Sequence, residues 1–124
     1  PEIIIREKLT EAAKRLNALY CENYGGSEWE DLGVFFRQSN ISAVEDFPVL
    51  RRLHEQGRSY EELIRLEHIR WCRFYFLNNW RYGKERDNNA RIHPCLIPFD
   101  QLSNEEQEKD ADNVRIALNN IFYQ

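Results

Sequence analysis

Methionine is absent from this chain of 124 residues, and glycine, proline and cysteine are sparse, at five, four and three. The three cysteines, Cys21, Cys72 and Cys95, are odd in number and form no CxxC pair. That argues against a disulfide framework or a zinc knuckle and predicts reduced, mostly packed thiols in a cytosolic protein. A basic excess is missing too. The net charge is −4 and the pI is near 5.4, which speaks against a non-specific nucleic-acid binder. No apolar run approaches the roughly 20 residues of a membrane-spanning helix, and no signal peptide is visible. Signatures of catalysis are lacking as well: there is no GxSxG elbow, no Walker loop and no GxGxxG fingerprint. Glu67-His68 is followed by no second histidine at the spacing of a zinc protease. His68, Cys72, His93 and Cys95 are legal zinc ligands, but they are loosely spaced and crowded by arginine, which repels a cation. No metal and no cofactor is expected. With Pro1 at the start and no methionine, the chain reads as a segment of a longer protein.

What is present is a globular composition with 16 aromatic residues in a length suited to one domain. A chain this long buries roughly two-thirds of its unfolded surface, so a single core needs no staples. Ile5, Leu9, Ala12, Leu16, Leu19 and Tyr20 recur at helical spacing and predict a first helix over about residues 3–22, ended by Gly25-Gly26. Ser27 with Glu30 reads as a capping box opening a short second helix that carries Trp29, Leu32, Phe35 and Phe36 inward and stops near Ser39-Asn40. Another helical stretch follows over about 42–55, disturbed by Pro48 and closed by Gly57. Ser59 with Glu62 opens a helix over about 60–79, roughly 30 Å long. Its second half is apolar on nearly every face and is expected to be buried all round. From Trp80 to Phe99 the helical period is lost, and Gly83, Asp87-Asn88-Asn89, Pro94 and Pro98 are turn chemistry. Short extended pieces at 80–82 and 96–99 are expected to pair as a ribbon. Ser103 with Glu106 opens a last helix to about residue 122, burying Val114, Leu118 and Ile121. The predicted fold class is mainly α, a compact bundle of four or five helices with one long ordered loop containing a short β-ribbon. The whole chain forms a single domain, with residues 1–57 as a helical lead-in and 59–122 as the core. A loop of this length in a small helical domain is more often functional than idle.

Arginine supplies 13 of the 17 basic residues. Nine of these lie between Arg51 and Arg91, where the net charge is +4, against −8 for the rest of the chain. A positive, aromatic-rich patch on an acidic protein suits a small anionic ligand with a flat part better than an extended polyanion. Glu67, Arg70 and Trp71 share one helix face. Trp80, Arg81, Tyr82, Arg86, Asp87, Arg91 and His93 follow in the loop. An indole offers a stacking face to a base, and an arginine fork binds phosphate in two bonds. Asp87 or Glu67 is placed to accept from ribose hydroxyls or an exocyclic amine. The competing reading is plain structure: Trp71 and Trp80 as core residues, Glu67–Arg70 as an internal ion pair, and the arginines paired with carboxylates of the flanks.

Four ordered stretches carry a resemblance. They are Leu66-Glu67-His68-Ile69-Arg70-Trp71; Asn79-Trp80-Arg81-Tyr82-Gly83-Lys84-Glu85-Arg86-Asp87; His93-Pro94-Cys95-Leu96-Ile97-Pro98-Phe99; and Lys109-Asp110-Ala111-Asp112-Asn113-Val114-Arg115. Together they resemble the RyR domain, the module repeated in ryanodine receptors and found singly in many bacterial proteins, with its pattern EHxRW, GWRYGxxRD, HPxLxPY and a closing DxxxVR. The likeness covers about residues 63–121, and the chain is most similar to the bacterial single-copy type. Trp29, Leu32, Arg37, Ser39 and Asn40 also look like the helical lead-in of such members. The departures are Asn79 where glycine is usual and Phe99 where tyrosine is usual.

The resemblance implies a mainly helical, cytoplasmic, non-enzymatic regulatory module. It implies nucleotide or small-ligand binding around the tryptophan of the WRYG stretch. On this chain that points to Trp80, Arg81, Tyr82, Arg86 and Asp87, with Trp71 and His93 as walls. The expected function is binding of an adenine nucleotide or nucleotide-derived messenger. Trp80 stacks the base, Tyr82 or Trp71 closes the other side, and Arg81, Arg86 and Arg91 hold phosphates. The expected partners are such a ligand and the parent protein or its neighbouring domains, with no nucleic acid and no membrane contact by this chain. The alternative is a docking module that packs on its parent or self-associates, since tryptophan and arginine are also the residues of interface hot spots. A nucleotide-processing enzyme using His93 and Asp87 as an acid–base pair is disfavoured by the lack of a nucleophile or metal site.

Overall fold

The computed structural model describes residues 2–119. The apolar period of the first segment produces α1 (Glu2–Tyr24), which buries Ala12, Ala13 and Leu16. Gly25 and Gly26 end it at φ 80° and 104°, a region that side-chain-bearing residues rarely enter. The Ser27–Glu30 capping box does not form. Ser27 instead offers its carbonyl to Asn17 Nδ2 and Cys21 Sγ, and the residues after it make only a 3-10 turn, Trp29–Asp31. The two helices expected between 28 and 55 are one, α2 (Val34–Glu55). Ser39-Asn40 does not break it, because Asn40 Nδ2 donates back to the Phe36 carbonyl inside the helix. Pro48 is carried within it, where burial of Ala43, Val44, Phe47 and Leu50 outweighs local propensity.

The other two caps form as read. Ser59 Oγ accepts the Glu62 amide at 3.2 Å and opens α3 (Tyr60–Leu77). Ser103 Oγ does the same for Glu106 and opens α4 (Asn104–Ala117). Val114 is buried as expected, Leu118 sits at the C-cap of α4, and Ile121 lies outside the described residues. Ala12, Leu16, Val44, Phe47, Leu63 and Val114 bring all four helices into one core. No described helix is long and apolar enough to cross a membrane.

α3 is not buried all round. Ile69, Phe76 and Leu77 are 50%, 52% and 77% exposed on one side of it. Apolar residues inside is a one-way rule, and the missing amphipathic signal hid an open face.

The predicted ribbon has a different second strand. β1 (Arg81–Tyr82) pairs in parallel with β2 (Ile92–His93), not with residues 96–99. The amide and carbonyl of Asp87 pair with those of Ile92 at 3.0 and 2.9 Å, tying the loop between the strands back on itself. Gly83 is required here: a Cβ at this position would run into Ile92 Cγ2.

A buried polar network fastens the helices. Arg70 forks onto both Glu67 oxygens at 2.8 Å and donates to Ser42 of α2. Asn113 of α4 donates to the same carboxylate at 2.9 Å. His68 places Nδ1 3.1 Å from Asp110 and Nε2 2.7 Å from the Ile97 carbonyl. With acceptors on both nitrogens, the ring is an imidazolium. Burial works against that charge, but the bonds to Asp110, Cys72 and Ile97 prevail and push its pKa up to about 10.

Candidate functional site

A second, aromatic cluster sits at the far end of α3. Trp80 is buried in it, 4% exposed. One face stacks on Phe35 at 5.2 Å and 26°, and edges meet Tyr75 at 4.9 Å and Phe36 at 6.2 Å. Trp80 therefore has no free face for a base, which corrects the stacking role expected of it. Two of the rings that cover it, Phe35 and Phe36, come from the start of α2, and Tyr75 comes from α3. Among the described residues, Trp80 Nε1 is buried without a hydrogen-bond partner.

Several other expected ligand groups are committed elsewhere. Glu67 is fully buried and holds Arg70 and Asn113, so it offers nothing to a ligand. Asp87 Oδ1 accepts the Ala90 amide at 3.0 Å and shapes the loop. Arg91, at φ 58°, donates to the Asn78 carbonyl at 2.6 Å, caps the end of α3 and lies over Phe35. Arg81 and Tyr82 are exposed on β1 and line no part of the cavity described next.

That cavity, of about 810 Å³, lies between α1 and the start of α2 on one side and α3, the loop and α4 on the other. It is of the size that holds a small ligand. Of the expected residues it gathers Arg70, Trp71, Arg86 and His93. Trp71 lies 4.2 Å from Tyr75 and 4.9 Å, edge to face, from His93, making an aromatic wall. The loop brings Arg86 to this wall, its Nε donating to Asn88 Oδ1 at 2.9 Å. No carboxylate among the described residues pairs with the Arg86 guanidinium. His93 Nδ1 accepts the Cys95 amide at 3.0 Å, so the neutral ring carries its proton on Nε2. Burial, followed by the positive charge of Arg86, pushes the His93 pKa down to about 4. Burial raises Tyr75 to about 12 against the pull of Arg86. Burial and then Glu106 raise Cys95 to about 11, leaving an unreactive thiol.

The opposite wall was not legible in the sequence. Asn17, Tyr20 and Cys21 reach it from α1 and Phe36 and Asn40 from α2, and Lys109 of α4 meets its edge. Lys109 bonds Glu106 at 3.0 Å and lies 5.7 and 5.2 Å from the rings of Tyr20 and Tyr24. The Tyr24 hydroxyl donates to Asp112. Lys109 belongs to one of the four family-like stretches, which was its only signal. The α1 residues carry only the ordinary helical period. No group of three or more potential metal-ligating residues is found among the described residues.

The family model described as the RyR domain matches residues 52–123. It takes in α3, both strands and α4, and leaves α1 and most of α2 outside.

Proposed function

The chain belongs to the RyR domain family, and on that premise we propose that it is a non-enzymatic regulatory module that binds a nucleotide-derived ligand in the cavity between its lead-in helices and its core. The observation that carries the reading is Arg86. It is a cation without a carboxylate partner among the described residues, set beside the Trp71–Tyr75–His93 wall. A guanidinium beside aromatic faces suits a phosphate attached to a flat base. Trp71, half-buried on the cavity wall, rather than the buried Trp80 or Tyr75, is the ring that supports this reading. Free thiols suit the cytoplasmic, bacterial setting proposed for the module.

Calorimetry with ATP, ADP-ribose and cyclic AMP tests the reading. At least one is expected to bind, and Arg86→Gln to weaken it without loss of stability, since Arg86 is exposed on the loop. Silence with all three, and with cyclic GMP, AMP and ADP as well, overturns it. The second reading, docking on the parent protein or on another copy, is favoured by exposed Ile69, Phe76 and Leu77 on α3. Sedimentation of wild type against Phe76→Glu separates the two, because only docking makes the mass depend on that residue.

A further inference from the structure

The cavity walls carry four cations, Arg70, Arg86, Lys109 and the His68 imidazolium. Three are neutralised in place. Arg70 is forked by Glu67 directly behind the wall, His68 faces Asp110 at 3.1 Å, and Lys109 holds Glu106 at 3.0 Å. Such partly buried pairs are shielded from salt and costly to break, so these cations keep their carboxylates when a ligand enters. Arg86 is the one cation of the wall without such a partner among the described residues. Opposite stands Asp31, an exposed carboxylate of the 3-10 turn that likewise has no cation partner among them. The formal charges of the site therefore cancel, and one guanidinium is left for one anionic group.

Resting on the ligand-binding reading above, we propose that the cavity selects a nucleotide whose phosphate carries a single negative charge, a cyclic mononucleotide phosphodiester, over nucleoside di- and triphosphates. One phosphodiester satisfies Arg86 and brings no further charge. Asp31 is left to accept from a ribose hydroxyl or an exocyclic amine, the donors such a ligand offers. Each added phosphate charge meets Asp31, the one carboxylate of the site without a cation partner among the described residues, with no further cation left to offset it. The balance of charge, not shape, disfavours the higher phosphates, because the volume admits them.

The test is competition calorimetry at fixed ionic strength with cyclic AMP, cyclic GMP, AMP, ADP, ATP and ADP-ribose. A cyclic mononucleotide is expected to bind at least about tenfold tighter than ADP or ATP. Glu106→Gln frees Lys109 at a half-exposed position and is expected to shift the preference towards AMP and ADP by a similar factor. ADP or ATP binding as tightly as the cyclic compounds, or a preference unmoved by Glu106→Gln, overturns this inference and leaves the ligand-binding reading standing. No binding by any of the six overturns that reading itself.

Discussion

Replacing Trp80 separates an interior residue from a recognition residue. The ring packs against Phe35, Phe36, Tyr75 and His93 at 4.9–6.3 Å. Trp80→Ala removes all four contacts and leaves a void, a loss of about 3–5 kcal/mol for a buried aromatic residue. Aromatic pairs contribute about 0.5–1.5 kcal/mol each beyond area, so the upper half of that range applies. A domain of this size is stable by roughly 5–15 kcal/mol, so the variant loses from about a quarter to all of that stability. Trp80→Phe behaves differently. It keeps most of the ring contacts and deletes Nε1–H, a buried donor with no acceptor among the described residues. An unsatisfied buried donor costs about 1–3 kcal/mol, which offsets the lost ring area, and the net change is expected within about 1 kcal/mol. Urea unfolding followed by circular dichroism measures both, with calorimetry on the phenylalanine variant expected to match wild type. The reasoning fails if Trp80→Ala costs under about 1 kcal/mol, or if Trp80→Phe abolishes binding at unchanged stability.

Glu67→Gln strips the carboxylate from a nearly buried guanidinium and is expected to cost about 3–5 kcal/mol in the same unfolding assay. Gly83→Ala puts a methyl group into Ile92 and is expected to cost about 1–3 kcal/mol, with Ile92→Ala in the same chain restoring part of it. Stability has opposite slopes on the two sides of neutrality. His68, raised to about 10, contributes stability fully below its unfolded value near 6.5 and loses it as pH rises towards 10. His93, lowered to about 4, contributes stability above 6.5 and loses it as pH falls towards 4. Thermal unfolding is therefore expected to peak near pH 6.5, and a profile rising steadily from pH 6.5 to 9 contradicts the paired state of His68.

Features carried by three or four adjacent residues were legible in the sequence. The Ser59 and Ser103 caps form because a hydroxyl and an amide three residues on need nothing else. Ser27, with the same spacing, fails because Gly25 and Gly26 turn the chain and Asn17 and Cys21 engage its carbonyl. Pairings across the chain were not legible. The partner of Arg81–Tyr82 is fixed by the left-handed Arg91 and the Asp87–Ile92 bridge, neither of which leaves a periodic trace. Trp80 reads the same whether a ligand or Phe35 lies on it, and Phe35 is 45 positions upstream. The arginine clustering was real, but it covers three jobs. Arg70 fastens helices, Arg91 caps one, and Arg86 faces the cavity. Only long-range geometry tells them apart.

The cavity draws its two walls from stretches of different standing. α1 packs along α2 and reaches α4 through Tyr20 and Tyr24, which lie by Lys109 and Asp112. Glu67, Arg70 and Asn113 fasten α3 to α4, and through Ser42 to α2, without it. Exchanging Tyr20 therefore alters that wall of the cavity while the Glu67–Arg70–Asn113 fastening is untouched. The cavity is thus a seam: one face belongs to the stretch that the family model matches, and the other to helices that it does not reach.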